Sequence, residues 1–452
     1  MNKKEYKKIF KTFLCLLLVV FIVVGPYYLI TYRPHDVDYS NKDKNEPEWE
    51  GIITFWDYPR LDKKTGTQFG WIREKIKAFE KENQGVYIDF KPLDWKKGPI
   101  EINTAAKMGH LPDVVPIGSD YSIIIKDVLD PLDEYLTVDE IEDFRQNALQ
   151  SVTYSNKIYG LPWMMTTYTM VLNLDLFNEN GVQPPENGFW TYDEFIEKMK
   201  VLTYASKDNG EIDHYGINSF IEPSYYNTWG ILLSDGAKIF DEKAQYSFND
   251  DKALSGVQKL IDLKQKHNVV HPEFGVNNSN KAWTSFYENK NIAVYPVGTW
   301  ALNVLDRLQS EGKGFNYNVA KFPTGNLNKS VTLSNMIGSY GMSKQEDKQK
   351  SDMIVEFLKF LVKDEYQQDL KRLGVFPVKK SIGNIYLDDP KMTMIYEELE
   401  DANIVFDHPY WKEIDEIIQK EIQQGVIGNK SAKEVLKDAE EKVKVLLNNV
   451  VN

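Results

Sequence analysis

Cysteine is almost absent: Cys15 stands alone in 452 residues, so no intrachain disulfide can form and packing must supply the stability. An excess of positive charge is also missing. The 54 Lys and Arg face 67 Asp and Glu, a net charge of -13, which argues against nucleic acid because phosphate contacts need clustered cations. No Gly-x-Ser-x-Gly elbow and no Walker phosphate loop appears, which removes the commonest hydrolase and nucleotide signatures. The chain has no internal repeat and no low-complexity tract. After residue 30 no apolar run is long enough to span a bilayer.

Before that point there is one. Residues 12–30 carry no charge and follow Lys3, Lys4, Lys7, Lys8 and Lys11. As a helix, the segment would be roughly 28 Å long, close to the hydrocarbon thickness of a membrane. The basic flank 1–11 is expected to stay cytoplasmic, which sends the remainder outside the cell membrane. A cleaved signal peptide would end in small residues, whereas this run ends in Gly25, Pro26, Tyr27 and Tyr28. Cys15 sits inside the run instead of at its end, unlike a lipid acceptor. A single-pass anchor with an extracellular domain is therefore expected, and the polar stretch 31–49, with Pro34 and Pro47, reads as a tether.

Some four hundred residues remain, too many for one core, and two domains are expected. Residues 51–56 and 86–90 read as strands, 100–108 as a helix and 111–115 as a third strand, with Ile72, Ile76 and Phe79 at helical spacing between the first two. Strand and helix in alternation imply a parallel sheet with crossover helices, and such sheets bind ligands at the carboxyl ends of their strands. Trp56 and Asp120 lie at those ends. Thr191 and Glu194 make a capping-box pattern that opens a helix, 252–267 reads as a long helix, and 411–447 reads as two amphipathic helices broken at 425–429. Ten Trp and twenty-six Tyr can fill a large core or line a cleft.

Metal and catalytic readings are weak. His267 and His271 have a zinc-compatible spacing, but Pro272 and the valines between them mark the end of a helix, and no cofactor or metal is expected. The acidic stretch 208–213 lacks the register of a calcium loop. A pair of glycosidase carboxylates is not excluded by sequence, but acidic runs such as 397–401 suit solvated faces better.

Several motifs in order carry a resemblance. They include Leu-Pro-Asp-Val-Val at 111–115, Ile-Tyr-Gly-Leu-Pro at 158–162, Val-Leu-Asn-Leu-Asp-Leu-Phe at 171–177 and Trp-Thr-Tyr-Asp-Glu-Phe at 190–195. Gly-Thr-Trp at 298–300, Phe-Pro-Thr-Gly at 322–325 and the run from Ser431 to Ala439 continue it. From about Ile52 onward the chain resembles the extracellular solute-binding proteins of sugar-importing ABC transporters, the family that includes maltose-binding protein. The resemblance implies an α/β, two-lobed, periplasmic-binding-protein-like (type II) fold with an interlobe cleft, here preceded by one transmembrane helix. Lobe 1 would comprise 50–164 and 322–376, and lobe 2 would comprise 165–321 and 377–452. Closure on a ligand would be a hinge motion.

The resemblance also implies a site. Trp300 matches a stacking tryptophan of the family. Glu222, Tyr226 and Trp229 fall in a Glu-Pro-Tyr-Trp-like run, and Asp120 falls in a sugar-binding loop. Tyr340 lies in a ligand-facing loop, while Trp56 and Trp163 could wall the cleft. Thr166 and Ile117 stand where maltodextrin binders have a ligand glutamate and a tryptophan, so a maltodextrin site is not expected. The expected function is capture of a mono- or oligosaccharide by a monomer that does no chemistry and delivers it to ABC permease subunits. A polyamine or peptide binder and a ligand sensor for a membrane kinase are the alternatives, and a surface glycosidase is the last choice.

Overall fold

The computed structural model describes residues 49–118, 122–334, 337–399, 403–404 and 408–451. The expected membrane segment 12–30, with its flank and most of its tether, lies outside them. Among the described residues no helix is long and apolar enough to cross a membrane.

Strand β1 (Gly51–Asp57) buries Ile53, Phe55 and Asp57 on one face. Helix α1 (Gly70–Glu82) turns Trp71, Ile72, Ile76 and Phe79 inward and leads to β2 (Val86–Pro92), which pairs with β1 in parallel from Gly51–Val86 to Asp57–Pro92. Helix α2 (Gly98–Met108) closes on Gly109, whose φ of 68° places it in the left-handed region that glycine tolerates. Strand β3 (Val114–Ile117) follows, parallel to β1. It begins three residues later than the sequence pattern suggests, because Asp113 is engaged through its side chain. Its carboxylate accepts from the Thr54 amide and hydroxyl at 2.8 and 2.9 Å, and its amide donates to the Thr54 hydroxyl at 2.8 Å.

β4 (Leu129–Asp130) and the fully buried β5 (Leu161–Met165) complete this first run of strands. The chain then crosses at Thr166 and Thr167 to β6 (Tyr168–Asn173), which opens a second sheet. Helix α3 (Tyr192–Val201) starts with the expected capping box, both Thr191 and Glu194 bonds being present. β7 (Tyr215–Ile217), α4 (Asp251–Gln265), α5 (Ser279–Tyr287), β8 (Ile292–Gly298), α6 (Trp300–Ser310) and β9 (Tyr317–Ala320) follow. Because α4 ends at Gln265, His267 and His271 share no helix. β10 (Leu333–Ser334) precedes the return to β11 (Ile337–Ser343) in the first sheet, and α7 (Lys348–Leu361) packs beneath it. Phe79, wholly buried between Phe357 and Phe360, contributes about 2–3 kcal/mol by burial. Helix α8 (Pro390–Leu399), β12 (Asn403–Ile404), α9 (Trp411–Val426) and α10 (Ala432–Val451) end the chain.

The first sheet has the order β2-β1-β3-β11-β4, with β5 also pairing to β11, and the second β9-β6-β8-β7. Two α/β lobes result, but their boundaries differ from those read in the sequence. Phe322, Val331 and Leu333 belong to the second core, because Trp190 and Thr324 bind the 321–324 backbone to that lobe. Conversely, 378–399 is tied mainly to the first lobe. The Arg145 amide donates to the Val378 carbonyl at 2.8 Å, and the Asn147 side chain to the Leu399 carbonyl at 2.9 Å.

Buried hydroxyls stitch the crossover. The Thr166 and Thr299 side chains bond each other, Thr299 donates to the Gly374 carbonyl at 2.9 Å, and Thr167 meets Thr332 at 3.2 Å. Further along α6, Asn303 donates to the Arg372 carbonyl at 3.3 Å and Asp306 pairs with Lys63 at 2.6 Å. Positions 299, 303 and 306 form one stripe at helical spacing, and that stripe holds the second lobe to the first.

Candidate functional site

In the first lobe, three side chains gather just beyond the carboxyl end of β1. The Tyr58 and Trp95 rings stack at 4.4 Å, and the Trp95 indole donates to the Pro59 carbonyl at 3.1 Å. Trp95 is 56% exposed, so one large aromatic plane faces solvent at the end of a parallel sheet. Arg60 lies between Trp95 and Trp163, its guanidinium 5.6 and 4.9 Å from the two rings. Its Nη1 grips both Asp57 oxygens at 3.0 and 3.1 Å and the Tyr58 carbonyl at 3.1 Å. Burial opposes its charge, yet Asp57 and the neighbouring tyrosines keep its pKa above the ordinary value. Nε and Nη2 donate to no group among the described residues, so the half-buried Arg60 holds three N–H donors in reserve.

In the second lobe, the corresponding surface is built at the carboxyl ends of the parallel pair β7 and β8. Trp300 is the first residue of α6, 43% exposed, and meets Trp283 of α5 edge-on at 5.4 Å. Trp283 in turn packs on Tyr287 and Tyr295. From the loop after β7 come Tyr225, exposed and edge-on to Phe220 at 5.0 Å, and the half-buried Glu222. The Glu222 carboxylate forms no ion pair and no hydrogen bond among the described residues, an uncommon state for a half-buried charge. Burial and that carboxylate push the Tyr225 hydroxyl above its usual pKa, against the effect of Ser279 nearby. Thr299, bonded into the crossover, immediately precedes Trp300, so this wall begins at the crossover.

The residues expected from sequence divide by position. Trp300 and Glu222 reach the surface described above. Tyr226 and Trp229 do not: they are 2% and 0% exposed and pack with Trp411, whose indole donates to the Tyr226 hydroxyl at 2.9 Å. They form the second core beneath the loop, which corrects their reading as ligand contacts. Trp163 and Tyr340 are buried in the first lobe, stacked on each other at 5.6 Å, with Trp71 at 5.1 Å from Trp163. Burial, then the Asp57 charge, pushes the Tyr340 hydroxyl well above 10. They underlie Arg60 instead of facing a ligand. Trp56 is half-buried, with the Lys91 ammonium 4.0 Å from its ring centre. Asp120 lies outside the described residues. Sequence reasoning missed Arg60, Tyr58, Trp95 and Trp283. Trp95, three residues past β2, could have been found by the strand-end rule that singled out Trp56.

The 208–213 stretch is a turn: Asp213 accepts from the Ser206 amide and hydroxyl at 2.8 and 2.6 Å. Among the described residues no group of His, Cys, Asp and Glu is placed to hold a metal.

Residues 74–394 match the family of bacterial extracellular solute-binding proteins, most of the chain. This chain belongs to that family. Among curated relatives, a binding protein of Brucella abortus is 24% identical over 390 residues, 85% of this chain and 90% of that one. The galactooligosaccharide-binding protein of Bacillus subtilis is 22% identical over 336 residues, 69% and 71% of the two chains. Among solved structures, an ABC substrate-binding protein from Listeria monocytogenes in complex with cycloalternan superposes with a TM-score of 0.73. It is 19% identical and covers 88% of this solute-binding protein and all of its own chain. These similarities carry the two-lobed fold.

Proposed function

We propose that this solute-binding protein captures a carbohydrate between its lobes and delivers it to an ABC permease, moored outside the membrane by residues 12–30. One observation carries the reading. Open aromatic planes, Trp95 with Tyr58 and Trp300 with Trp283, accompany the unused polar atoms of Arg60 and Glu222 at strand ends in both lobes. A sugar presents C–H faces that flat rings cover and hydroxyls that carboxylates and guanidinium groups satisfy, so this mixture suits it. The oligosaccharide ligands named for the Bacillus and Listeria proteins support the same class. Trp300 is the stacking residue, Glu222 and Tyr225 bind hydroxyls, and Arg60 does so from the first lobe. The protein does no chemistry: it favours a closed form by binding it more tightly than the open one.

A thermal-shift screen of a chain beginning at Pro47 tests this with galacto-oligosaccharides, cycloalternan, maltotriose, polyamines and peptides. At a hundredfold excess over Kd, the true ligand stabilises by about 2.7 kcal/mol. A shift with a polyamine or peptide, and none with any sugar, would overturn the carbohydrate reading. Released smaller sugars in the mixture would make the protein an enzyme.

A further inference from the structure

The loop that carries Glu222 and Tyr225 has a backbone that local bonds alone do not hold. Ser224 adopts a φ of 68°, a left-handed conformation that costs energy for any residue but glycine. Three buried side chains from distant elements meet the polar backbone atoms around it. Asp415 of α9 accepts from the Ser224 amide at 2.6 Å. Gln419, one turn further along α9, donates to the Tyr225 carbonyl at 2.9 Å and to the other Asp415 oxygen at 2.8 Å. The Tyr168 hydroxyl of β6 accepts from the Tyr226 amide at 3.2 Å. Asp415 is 1% and Gln419 2% exposed, so neither can touch a ligand.

Resting on the proposed function, we infer that Asp415 and Gln419 are positioning residues that hold the 222–226 loop in its ligand-binding shape. A carboxylate is better suited than a neutral group to hold a strained amide, because a hydrogen bond to a charged acceptor is roughly twice as strong. Its second oxygen fixes the Gln419 amide group, and that group in turn fixes the Tyr225 carbonyl. Glu222 and Tyr225 then project from a backbone whose geometry does not wait for ligand, so less ordering is needed on binding. The titratable groups facing Asp415 are Glu416 on its own helix and the Tyr168 hydroxyl on β6. Protonating Asp415 turns one acceptor into a donor opposite Gln419. The brace weakens as a result.

The test compares wild type, Asp415→Ala, Asp415→Asn and Gln419→Leu by amide hydrogen exchange without ligand. Titrations with galacto-oligosaccharide, cycloalternan and maltotriose accompany it. In Asp415→Ala the amides of Ser224, Tyr225 and Tyr226 should exchange at least about tenfold faster while those of α10 stay protected, and sugar affinity should fall by a similar factor. Asp415→Asn should give a loss of both protection and affinity between wild type and Asp415→Ala near pH 7.5, because its carbonyl oxygen still accepts from Ser224 while its NH2 faces the Gln419 donor. With Asp415 staying buried when only the loop opens, the Ser224 and Gln419 bonds favour its charged form, so wild-type loop protection, corrected for intrinsic rates, should rise from about pH 6 to pH 8 while Asp415→Asn stays flat. Unchanged loop exchange in both Asp415→Ala and Gln419→Leu would overturn the inference, as would unaltered sugar affinity. If Asp415→Ala does not fold, Gln419→Leu alone decides. Wild type that binds none of the sugars removes the functional reading, while exchange still judges the brace.

Discussion

Replacing Asp415 by Asn should remove one measurable component of the way this protein's stability depends on pH. Asp415 is fully buried, and burial lifts its pKa from 3.8 to about 7 against the pull of the Ser224 amide and Gln419, with Glu416 adding to the rise. At about 1.4 kcal/mol for each tenfold change in proton affinity, that rise corresponds to about 4 kcal/mol. The folded protein binds this proton more tightly than the unfolded chain does. The contribution is therefore complete below the unfolded pKa near 4 and is lost as pH rises through about 7. Asparagine has nearly the same shape and never ionises. It sets an amide NH2 against the donor of Gln419, a mismatch worth about 1–3 kcal/mol that is the same at every pH. The difference in unfolding free energy, variant minus wild type, should therefore climb by about 3 kcal/mol between pH 4.5 and pH 8, whatever its starting offset. Urea unfolding of both proteins at four pH values, followed by tryptophan fluorescence, measures it, and the other ionisable groups cancel in the subtraction. Two parallel stability curves would mean that Asp415 ionises as it would in water. The argument from burial would then fail.

Trp300→Ala should weaken sugar binding at least tenfold, about 1.4 kcal/mol, and leave the unliganded melting temperature nearly unchanged, since the ring is 43% exposed. Calorimetric titration and a thermal scan read the two arms; a large unliganded loss would assign Trp300 to packing. Tyr226→Phe should do the opposite: it removes the acceptor of the Trp411 indole, costing about 1–3 kcal/mol in urea unfolding, with sugar affinity within about twofold. Arg372→Met strands Asp62, whose side chain is 0% exposed and bonded at 2.6 and 3.0 Å, and should cost about 3–5 kcal/mol. Burial disfavours the Asp62 charge, but Arg372, Thr65 and the Lys64 amide together hold its pKa below the usual range. Its contribution is therefore present above about pH 4 and lost on acidification, a slope that Asp62→Asn should abolish in acid titrations.

How much of this was legible in the chain depends on whether the signal was local. The capping box at Thr191, the first two strands and the paired terminal helices follow from spacing within a few residues, and the structure has them. The start of β3 was misplaced because the partner of Asp113 is Thr54, fifty-nine residues away. The lobe boundary at 322 failed for a similar reason: the Trp190 indole captures the Lys321 carbonyl at 2.8 Å, which keeps the next ten residues in the second lobe. Trp300, singled out by the family resemblance of the Gly-Thr-Trp motif, is exposed at the start of α6, directly after β8. Tyr226 and Trp229 share a five-residue segment with Tyr225, and aromatic type alone does not tell which of the three faces outward. The left-handed turn at Ser224, held by a helix almost two hundred residues away, leaves Tyr225 exposed and Tyr226 buried.

The crossover and the proposed ligand wall meet at neighbouring residues. Thr299 is bonded to Thr166 and to the Gly374 carbonyl, so its position is fixed by both lobes, and Trp300 beside it carries the exposed ring. Asn303 and Asp306 continue the same stripe to Arg372 and Lys63. Helix α6 thus gives its inner face to the crossover and its first outward residue to the proposed site. A rigid helix ties the Trp300 backbone to that of Thr299, so under the proposed function a ligand that draws Trp300 toward the first lobe would also favour one setting of the Thr299 contacts. The gain available is only the difference in affinity between the two settings. That places the coupling in the first turn of α6: the exposed Lys63–Asp306 pair, about 40% accessible on both sides, is too well solvated to decide it.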